Sequence, residues 1–203
     1  MKRFLFVAIS VLATASAFAA SPSLLNSSFE STSVGGGYAY GNVATNWSFT
    51  GGAGVSSNGT AWYGSTGSGS HFAFLQNTAS ITQSFVSTSA FNYTFSLDIA
   101  LRPYYNVGQA VVVQLDGNQI GTFTPTTSWS SVSASALNVG AGSHTLAFLG
   151  TNPTHAGDTS AFIDNVSMSV TAVPEPETYA LMLAGLGLMG AISRRRKQKN
   201  LAA

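Results

Sequence analysis

The carboxylates Asp164 and Glu30 are the first candidates for chemistry in this sequence, because each would need a partner. Asp164 lies in the apolar stretch Ala161–Thr171 and shares its alternation with Phe162 and Val166, so we expect it to face the core. A buried carboxylate needs a partner, because an unpaired charge is costly to desolvate. Arg102 is one candidate, and a calcium ion, which takes carboxylate and carbonyl oxygens, is the other. A β-bulge that re-phases the strand and exposes Asp164 is the third possibility.

Aromatic side chains in or beside predicted loops form a second group with possible chemistry. Exposed aromatic rings offer sugars a rigid apolar surface on which to stack. The candidates are Trp62, Tyr63, Tyr104, Tyr105 and Trp129. For each of these rings the alternative role is to cover one end of the fold, whereas Trp47 is expected in the core.

Motifs of known catalytic sites are weak in this chain. The sequence has three histidines, none of them paired at a metal-binding spacing, and no G-x-S-x-G motif that would place a nucleophilic serine. His155 and Asp158 share a polar segment but lack a nucleophile, and Glu30 with Asp164 is expected on strand ends rather than in a glycosidase cleft. Gly185–Gly190 fits G-x-G-x-x-G, yet it lies in an apolar run with no strand before it. The sequence therefore predicts a protein that is not an enzyme.

The elements that must position these residues are predicted to be β-strands. Phe91–Leu101 alternates strictly between apolar and small or polar side chains, as a strand with one buried face does. Asp116-Gly117 predicts a tight hairpin turn. Residues 24–30, 47–49, 71–76 and 81–86 are predicted as further strands, and the Gly-rich residues 50–70 as a loop. About ten strands without a helical period indicate an all-β, antiparallel β-sandwich.

Charge is concentrated at the two ends of the 203-residue chain. Met1 to Ala19 has a basic start, an apolar run and an Ala17-Phe18-Ala19 cleavage site, which predicts a signal peptide over residues 1–19. The body, residues 20–172, contains one arginine, no lysine and five carboxylates, a net charge of −4. Such a body has no basic face for phosphates, so nucleic acid is excluded as a partner. Without cysteine it has no disulfides either.

The C-terminal segment, residues 173–203, combines three features in a fixed order. Pro174-Glu175-Pro176 is followed by an uncharged apolar run over residues 179–192, and then by Arg194, Arg195, Arg196 and Lys197. The apolar run predicts a short transmembrane helix, and basic residues beside a span stay on the cytoplasmic side. The body would then lie outside the inner membrane.

These three features together resemble the PEP-CTERM sorting signal of Gram-negative bacteria, over about residues 173–197. The resemblance implies secretion followed by processing near Pro174–Pro176 by the membrane enzyme exosortase. The protein would be anchored transiently in the inner membrane and then reach the cell envelope or the outside. It also implies an association with exopolysaccharide.

The body resembles galactose-binding-like jelly rolls, a frame shared by carbohydrate-binding modules. The resemblance rests on Leu25–Glu30, on Asn46-Trp47-Ser48 and on Ala161–Ser167. It implies a structural calcium held by Glu30 and Asp164, with backbone carbonyls near Ser28 and Ser68–His71 completing the shell. Two functions follow as hypotheses: a module that binds glycan or exopolysaccharide, or a structural matrix or surface-coat protein with no discrete ligand.

Overall fold

The computed structural model describes residues 21–64, 68–104, 108–152, 157–174 and 176–201. The predicted signal peptide, residues 1–19, lies outside this range. Alternating side chains form nine strands: β1 Tyr38–Tyr40, β2 Ser48–Ser57, β3 His71–Ser87, β4 Phe91–Leu101, β5 Ala110–Leu115, β6 Asn118–Phe123, β7 Ser130–Val139, β8 Gly142–Thr151 and β9 Ser160–Ala172. One helix, α1, runs over Pro176–Leu201.

All the strand pairs of the described residues are antiparallel. The strands form one sheet in the order β6-β5-β8-β3-β9-β4-β7, and in addition β2 pairs with β3 and β1 pairs with β2. The sheet folds over itself as a sandwich that is nearly closed into a barrel. At the closing edges, a Cβ atom placed on Gly121 of β6 would lie 2.9 Å from the Ala134 side chain of β7. The predicted all-β sandwich is confirmed.

The long strand β3 joins the two layers. Residues 73–76 of β3 pair with β9, whereas residues 80–87 pair with β8, and β2 follows β3 along its other side. The change of layer coincides with a register shift between Thr50 and Gly52 and with a left-handed φ of 52° at Asn77. Two predicted strands, residues 71–76 and 81–86, are therefore one bent strand.

Strand β2 corrects the prediction that residues 50–70 form one loop, because residues 50–57 belong to this strand. The glycines that suggested a loop are needed for close packing. A Cβ atom on Gly54 would collide with the Ala39 carbonyl oxygen and come within 2.6 Å of the Phe74 ring. Glycine allows this approach because it has no side chain.

The first segment of the body is a series of turns, not the strand predicted over residues 24–30. Asn26 and Phe29 have left-handed φ values of 50° and 58°. Phe29 is nevertheless fully buried, and the Trp47 indole donates a hydrogen bond of 2.9 Å to the Asn26 carbonyl. Trp47 lies in the core, as predicted.

Apolar side chains pack on both faces of the layer that contains β9. Ala73 and Leu75 of β3 belong to the main core between the layers, whereas their neighbours Phe72 and Phe74 belong to a second, smaller cluster. We call this second cluster the outer aromatic cluster: Trp62, Phe72, Phe74, Ala100 and Phe162, with Trp129 partly buried against it. Residues of the segment before β3 therefore cover the outside of the sheet.

Helix α1 is longer than the predicted helix over residues 179–192, because it continues through the basic cluster. Pro176 opens the helix, a position where its missing N–H is not needed. In the part of the chain that the structure describes, no helix meets the combined requirement of length and apolarity for crossing a membrane.

Candidate functional site

Glu30 joins the first segment of the body to the start of β3. Its Oε1 accepts hydrogen bonds from the Ser70 and His71 amides, at 2.7 and 2.9 Å, and its Oε2 lies 2.9 Å from His71 Nδ1. Burial raises the pKa of Glu30, but the hydrogen bonds from His71 and Ser70 outweigh this effect and the pKa is lowered. A Cβ atom on Gly69, whose φ is +72°, would collide with Glu30 Oε1.

His71 carries a proton on both ring nitrogens in this arrangement. Nδ1 faces the Glu30 carboxylate and Nε2 lies 2.8 Å from the Gly35 carbonyl oxygen, and neither acceptor has a hydrogen to offer. Burial lowers the pKa of His71, but the hydrogen bonds to Glu30 and Gly35 outweigh it and the pKa is raised. Glu30 and His71 are 41 positions apart, so the local sequence pattern gives no sign of this pair.

Asp164 lies at a bulge in β9 and is fully buried. The pairing of β4 with β9 shifts between Ser96 and Asp98, and Asn165 has a left-handed φ of 51°. Oδ1 accepts a 2.7 Å hydrogen bond from the Asn165 amide, whereas Oδ2 has no hydrogen-bond partner in the described chain. Burial raises the pKa of Asp164 to about 7, and the charges of Glu30 and Asp98 add to this effect. The Asn165 hydrogen bond acts against it, as does the nearby Ser68 amide, which does not meet the distance and angle of a hydrogen bond to Oδ2.

The expectation that Asp164 shares one face of the strand with Phe162 and Val166 is therefore wrong, although Asp164 is buried as predicted. Phe162 belongs to the outer aromatic cluster and Val166 to the main core, so the two side chains point to opposite faces. The bulge re-phases the strand between them without exposing the carboxylate. Arg102 is not its partner either, since this guanidinium pairs with Asp158.

Arg102 lies over the centre of the outer aromatic cluster. Its guanidinium carbon is 4.4 Å from the centroid of Trp62, whose ring stacks on Phe74 at 3.9 Å. Nη1 donates to both oxygens of Asp158, at 3.3 and 3.1 Å, and Nη2 donates to the Ala61 carbonyl at 3.0 Å. Trp62 is only 3% exposed, so the expectation of an exposed ring is wrong for this residue.

The neighbouring residue Tyr63 points outward instead. Tyr63 is 57% exposed and Tyr104 84% exposed, and their rings meet edge to face with centroids 5.4 Å apart. A cleft of about 90 Å³ lies beside them, with Trp129 and Phe162 among its lining residues. Trp129 is half-buried here, and Tyr105 lies outside the described residues. Glycan binding by these rings stays a prediction.

Two further aromatic residues, which the sequence analysis did not single out, lie beside Trp62. Tyr38 and Tyr40 of β1 are each 47% exposed, and their centroids are 6.0 and 6.1 Å from that of Trp62. The Tyr40 hydroxyl donates to Gln76 Oε1 at 3.2 Å, and Gln76 Nε2 donates to Asp158 at 2.5 Å. Burial and the charges of Tyr38 and Asp158 raise the pKa of Tyr40, although Arg102 acts against them.

A Ser-His-Asp arrangement that the sequence did not reveal lies elsewhere in the fold. His144 Nδ1 is 2.8 Å from Asp116 Oδ2, and Nε2 is 3.1 Å from Ser87 Oγ. However, Nε2 also lies 3.0 Å from the Gly140 carbonyl, which requires a hydrogen on Nε2, whereas a catalytic base needs Nε2 free to accept one. Ser87 is 3% exposed, so a substrate cannot reach it. We interpret the arrangement as a structural connection between β3, the β5–β6 turn and β8.

The predicted sorting residues lie beyond the sandwich. Pro174 follows β9, Pro176 opens α1, and Arg194, Arg195 and Arg196 lie within α1. Glu175 and His155 lie outside the described residues. The G-x-G-x-x-G sequence at 185–190 lies inside α1 and not at a turn between a strand and a helix, so it does not form a strand–turn–helix nucleotide site.

Comparison with known families identifies the C-terminal segment. Residues 172–197 match the PEP-CTERM protein-sorting motif, which confirms the resemblance found in the sequence. The motif implies export and processing by an exosortase. No curated protein sequence matches the chain.

Comparison with solved structures concerns the sandwich. One similar structure is TmCBM61 in complex with β-1,4-galactotriose; it is 12% identical, and the match covers 73% of this chain and 99% of that chain with a TM-score of 0.54. Another is the CBM22-1 xylan-binding domain from Paenibacillus barcinonensis; it is 15% identical, and the match covers 75% of this chain and 96% of that chain with a TM-score of 0.51. A cyclase from Fischerella sp. TAU, in complex with 4-(1H-indol-3-yl)butan-2-one, is 15% identical, with coverages of 75% and 99% and a TM-score of 0.54. At these identities the likeness shows the jelly-roll fold, and the fold is shared by binding modules and by an enzyme.

Proposed function

We propose that this protein is an exported, non-catalytic envelope or extracellular protein whose sandwich binds glycan, such as an exopolysaccharide. The observation that carries the proposal is the exposed Tyr63–Tyr104 pair beside the cleft that contains Trp129. Tyr104 is 84% exposed, so its ring contributes little to the core and is accessible to a ligand. The carbohydrate-binding modules that share the fold support the same function.

The rigid surroundings of this pair suit a binding site. Tyr63 follows Trp62, whose ring stacks on Phe74 and contacts Arg102, so the residue before Tyr63 is anchored in the outer aromatic cluster. Tyrosine rings provide contact area with only two side-chain torsions to restrict, and a fixed backbone lowers the entropy cost of binding further.

A glycan array tests the proposal. We expect the chain without its signal peptide, kept in mild detergent, to bind at least one polysaccharide. Tyr63→Ala and Tyr104→Ala should each weaken binding about tenfold, about 1.4 kcal/mol. Leu137→Ala is the matched control, because Leu137 is 76% exposed but lies in β7. Silence across the array would contradict glycan binding and favour the matrix or surface-coat function instead.

Export and processing form the second part of the proposal. The body would be carried across the inner membrane by the secretion machinery, held transiently with its C-terminus in the cytoplasm, and released after exosortase acts near Pro174–Pro176. Replacing Arg194, Arg195 and Arg196 by alanine should leave an unprocessed precursor in exosortase-positive cells. Normal release of the triple variant would contradict the proposal.

We also propose a structural calcium at Asp164 and Glu30. The buried Asp164 Oδ2 without a hydrogen-bond partner is the kind of atom that a cation would satisfy. Glu30 would have to exchange its bond to His71 for the metal, since both Glu30 oxygens accept hydrogen bonds. The ion would stabilise the junction between the first segment and β9, and it would take no part in a reaction.

A further inference from the structure

Two exposed tyrosine pairs lie near Trp62, since Tyr38 and Tyr40 contact its ring and Tyr63 follows it in the chain. This placement leads to an inference that rests on the proposed glycan binding. We propose that the ligand is an uncharged polysaccharide chain that lies along the surface around the buried Trp62 and contacts both pairs. The pairs are Tyr38 with Tyr40 and Tyr63 with Tyr104.

Tyr38 and Tyr40 belong to the same surface as the first pair. Both rings meet Trp62 edge to face, and Tyr63 is the next residue in the chain after Trp62. The two rings lie 6.5 Å apart because residues i and i+2 of a strand point to the same side. Each is about half exposed, so each ring keeps an accessible surface. A polymer that reaches both pairs gains from two linked contacts, and its affinity should therefore rise with length.

The polar groups near Trp62 indicate which charge the ligand can carry. The guanidinium of Arg102 is already engaged by both oxygens of Asp158 and by the Ala61 carbonyl. Arg102 is the only arginine or lysine in residues 20–172, against five carboxylates. A polymer bearing carboxylates or sulfates would find no uncommitted arginine or lysine, and it would approach a body of net charge −4.

Uncharged sugars match what remains on this surface. The Tyr40 hydroxyl, the Gln76 amide and the Asp158 carboxylate form a connected set of hydrogen-bonding groups beside the rings. Hydroxyl groups of a sugar can donate to and accept from such groups, while the rings stack on its apolar faces.

Binding assays with two polysaccharide sets test the inference. One set contains neutral glucans, galactans and xylans as length series, and the other contains uronate-bearing and sulfated polymers, each at low and high salt. We expect a neutral polymer to bind with little salt dependence, and its affinity to rise with length. The combined Tyr38→Ala and Tyr40→Ala variant should weaken long-chain binding about tenfold and leave short-oligosaccharide binding unchanged.

The combined Tyr38→Phe and Tyr40→Phe variant is the matched control, since it keeps both rings and should keep most of the length effect. A thermal melt verifies that each variant folds. Preferential, salt-sensitive binding of the acidic polymers would overturn the inference while leaving glycan binding intact. An unchanged length series in the alanine variant, with neutral polymers still bound, would overturn the role of the second pair alone. Failure to bind any polymer would overturn both this inference and the proposed function.

Discussion

Asp164 is the residue whose environment has the clearest physical consequence. Because burial raises its pKa to about 7, the folded protein binds a proton there that the unfolded chain, with a pKa near 3.8, does not. The stabilisation from this proton is complete at pH values below the unfolded pKa. It is lost as pH rises from there through the folded pKa. The raised pKa of His71 acts in the same direction.

In the absence of metal, we therefore expect the unfolding free energy to fall as pH rises from about 4 to about 7, the interval between the unfolded and folded pKa values of Asp164. The contribution of Asp164 corresponds to a change of the order of 4 kcal/mol between full protonation and full ionisation. Urea unfolding at several pH values, with chelator present, measures it. Asp164→Asn should remove most of this dependence because an amide does not ionise. A wild-type profile that is flat from about pH 4 to about pH 7 would contradict the burial of Asp164.

Calcium should reverse the effect at the same residue. A cation favours the ionised carboxylate, so added calcium should raise the melting temperature at pH 8 and have a much smaller effect at pH 5. His71 should lose its bond to Glu30 in the process. Differential scanning calorimetry with calcium, magnesium and chelator makes the comparison, and Asp164→Asn is the control that should not respond. If neither chelator nor calcium changes the melting temperature at pH 8, the proposed calcium site is contradicted.

Among the connecting elements, the turn over residues 68–71 depends on Gly69. Gly69 and Gly59 share a φ of +72°, but a Cβ atom on Gly59 has no neighbour within 4 Å, whereas one on Gly69 would collide with Glu30. Gly59→Ala should therefore cost only the backbone strain, about 1–2 kcal/mol. Gly69→Ala should cost at least about 1 kcal/mol more, because Glu30 must leave its amide donors. Equal losses in chemical denaturation would show that the Glu30 contacts contribute nothing.

The contacts of His144 with Ser87 and Asp116 should stabilise the fold and should not make Ser87 a nucleophile. His144→Ala removes the partner of buried Ser87 and of Asp116, and we expect a loss of about 2–3 kcal/mol. Ser143→Ala, at an exposed neighbour, should stay within about 0.5 kcal/mol of wild type. A serine-directed phosphonate should not label Ser87, and labelling that His144→Ala abolishes would show instead that the arrangement is reactive.

The elements differ in how far the sequence could predict them. Strand β4 was predictable because it buries one face without interruption, and the β5–β6 hairpin because Asp116 and Gly117 both take left-handed φ values of 53° and 78°. Strand β2 was missed because the close approach of Ala39 and Phe74 that requires Gly54 is a long-range contact. The bulge at Asn165 likewise has no signal in the alternation around it.

The residues of the candidate site also differ in how far the sequence could predict them. Aromatic residues near loops could be picked out by type, but their burial depends on which segment covers the sheet, so exposed Tyr63 could not be separated from buried Trp62. Tyr38 and Tyr40 were missed because β1, with three residues, is too short to recognise. The sorting motif was predictable because all its features lie within one continuous stretch.

For the whole molecule, the end of β9 determines what exosortase processing would leave behind. The final paired residue of β9 is Ala172, and the Val173 amide donates a 3.1 Å hydrogen bond to the Ala90 carbonyl. A cut after Pro174 would therefore preserve the pairing of β9 with β4. A cut six residues earlier, after Met168, would remove the four pairs that β9 makes with β4 through Ser169, Val170, Thr171 and Ala172.

We therefore expect a chain of residues 20–174 to unfold with the same free energy as the full body with its tail, to within about 0.5 kcal/mol. A chain of residues 20–168 should lose several kcal/mol, because Tyr93 and Phe91 of the core lose their strand neighbours. Chemical denaturation of the three chains in the same detergent provides the comparison. If the chain ending at Pro174 were as unstable as the shorter one, contacts from the tail would have to stabilise the sandwich, and release by cleavage would then destabilise the protein that it delivers.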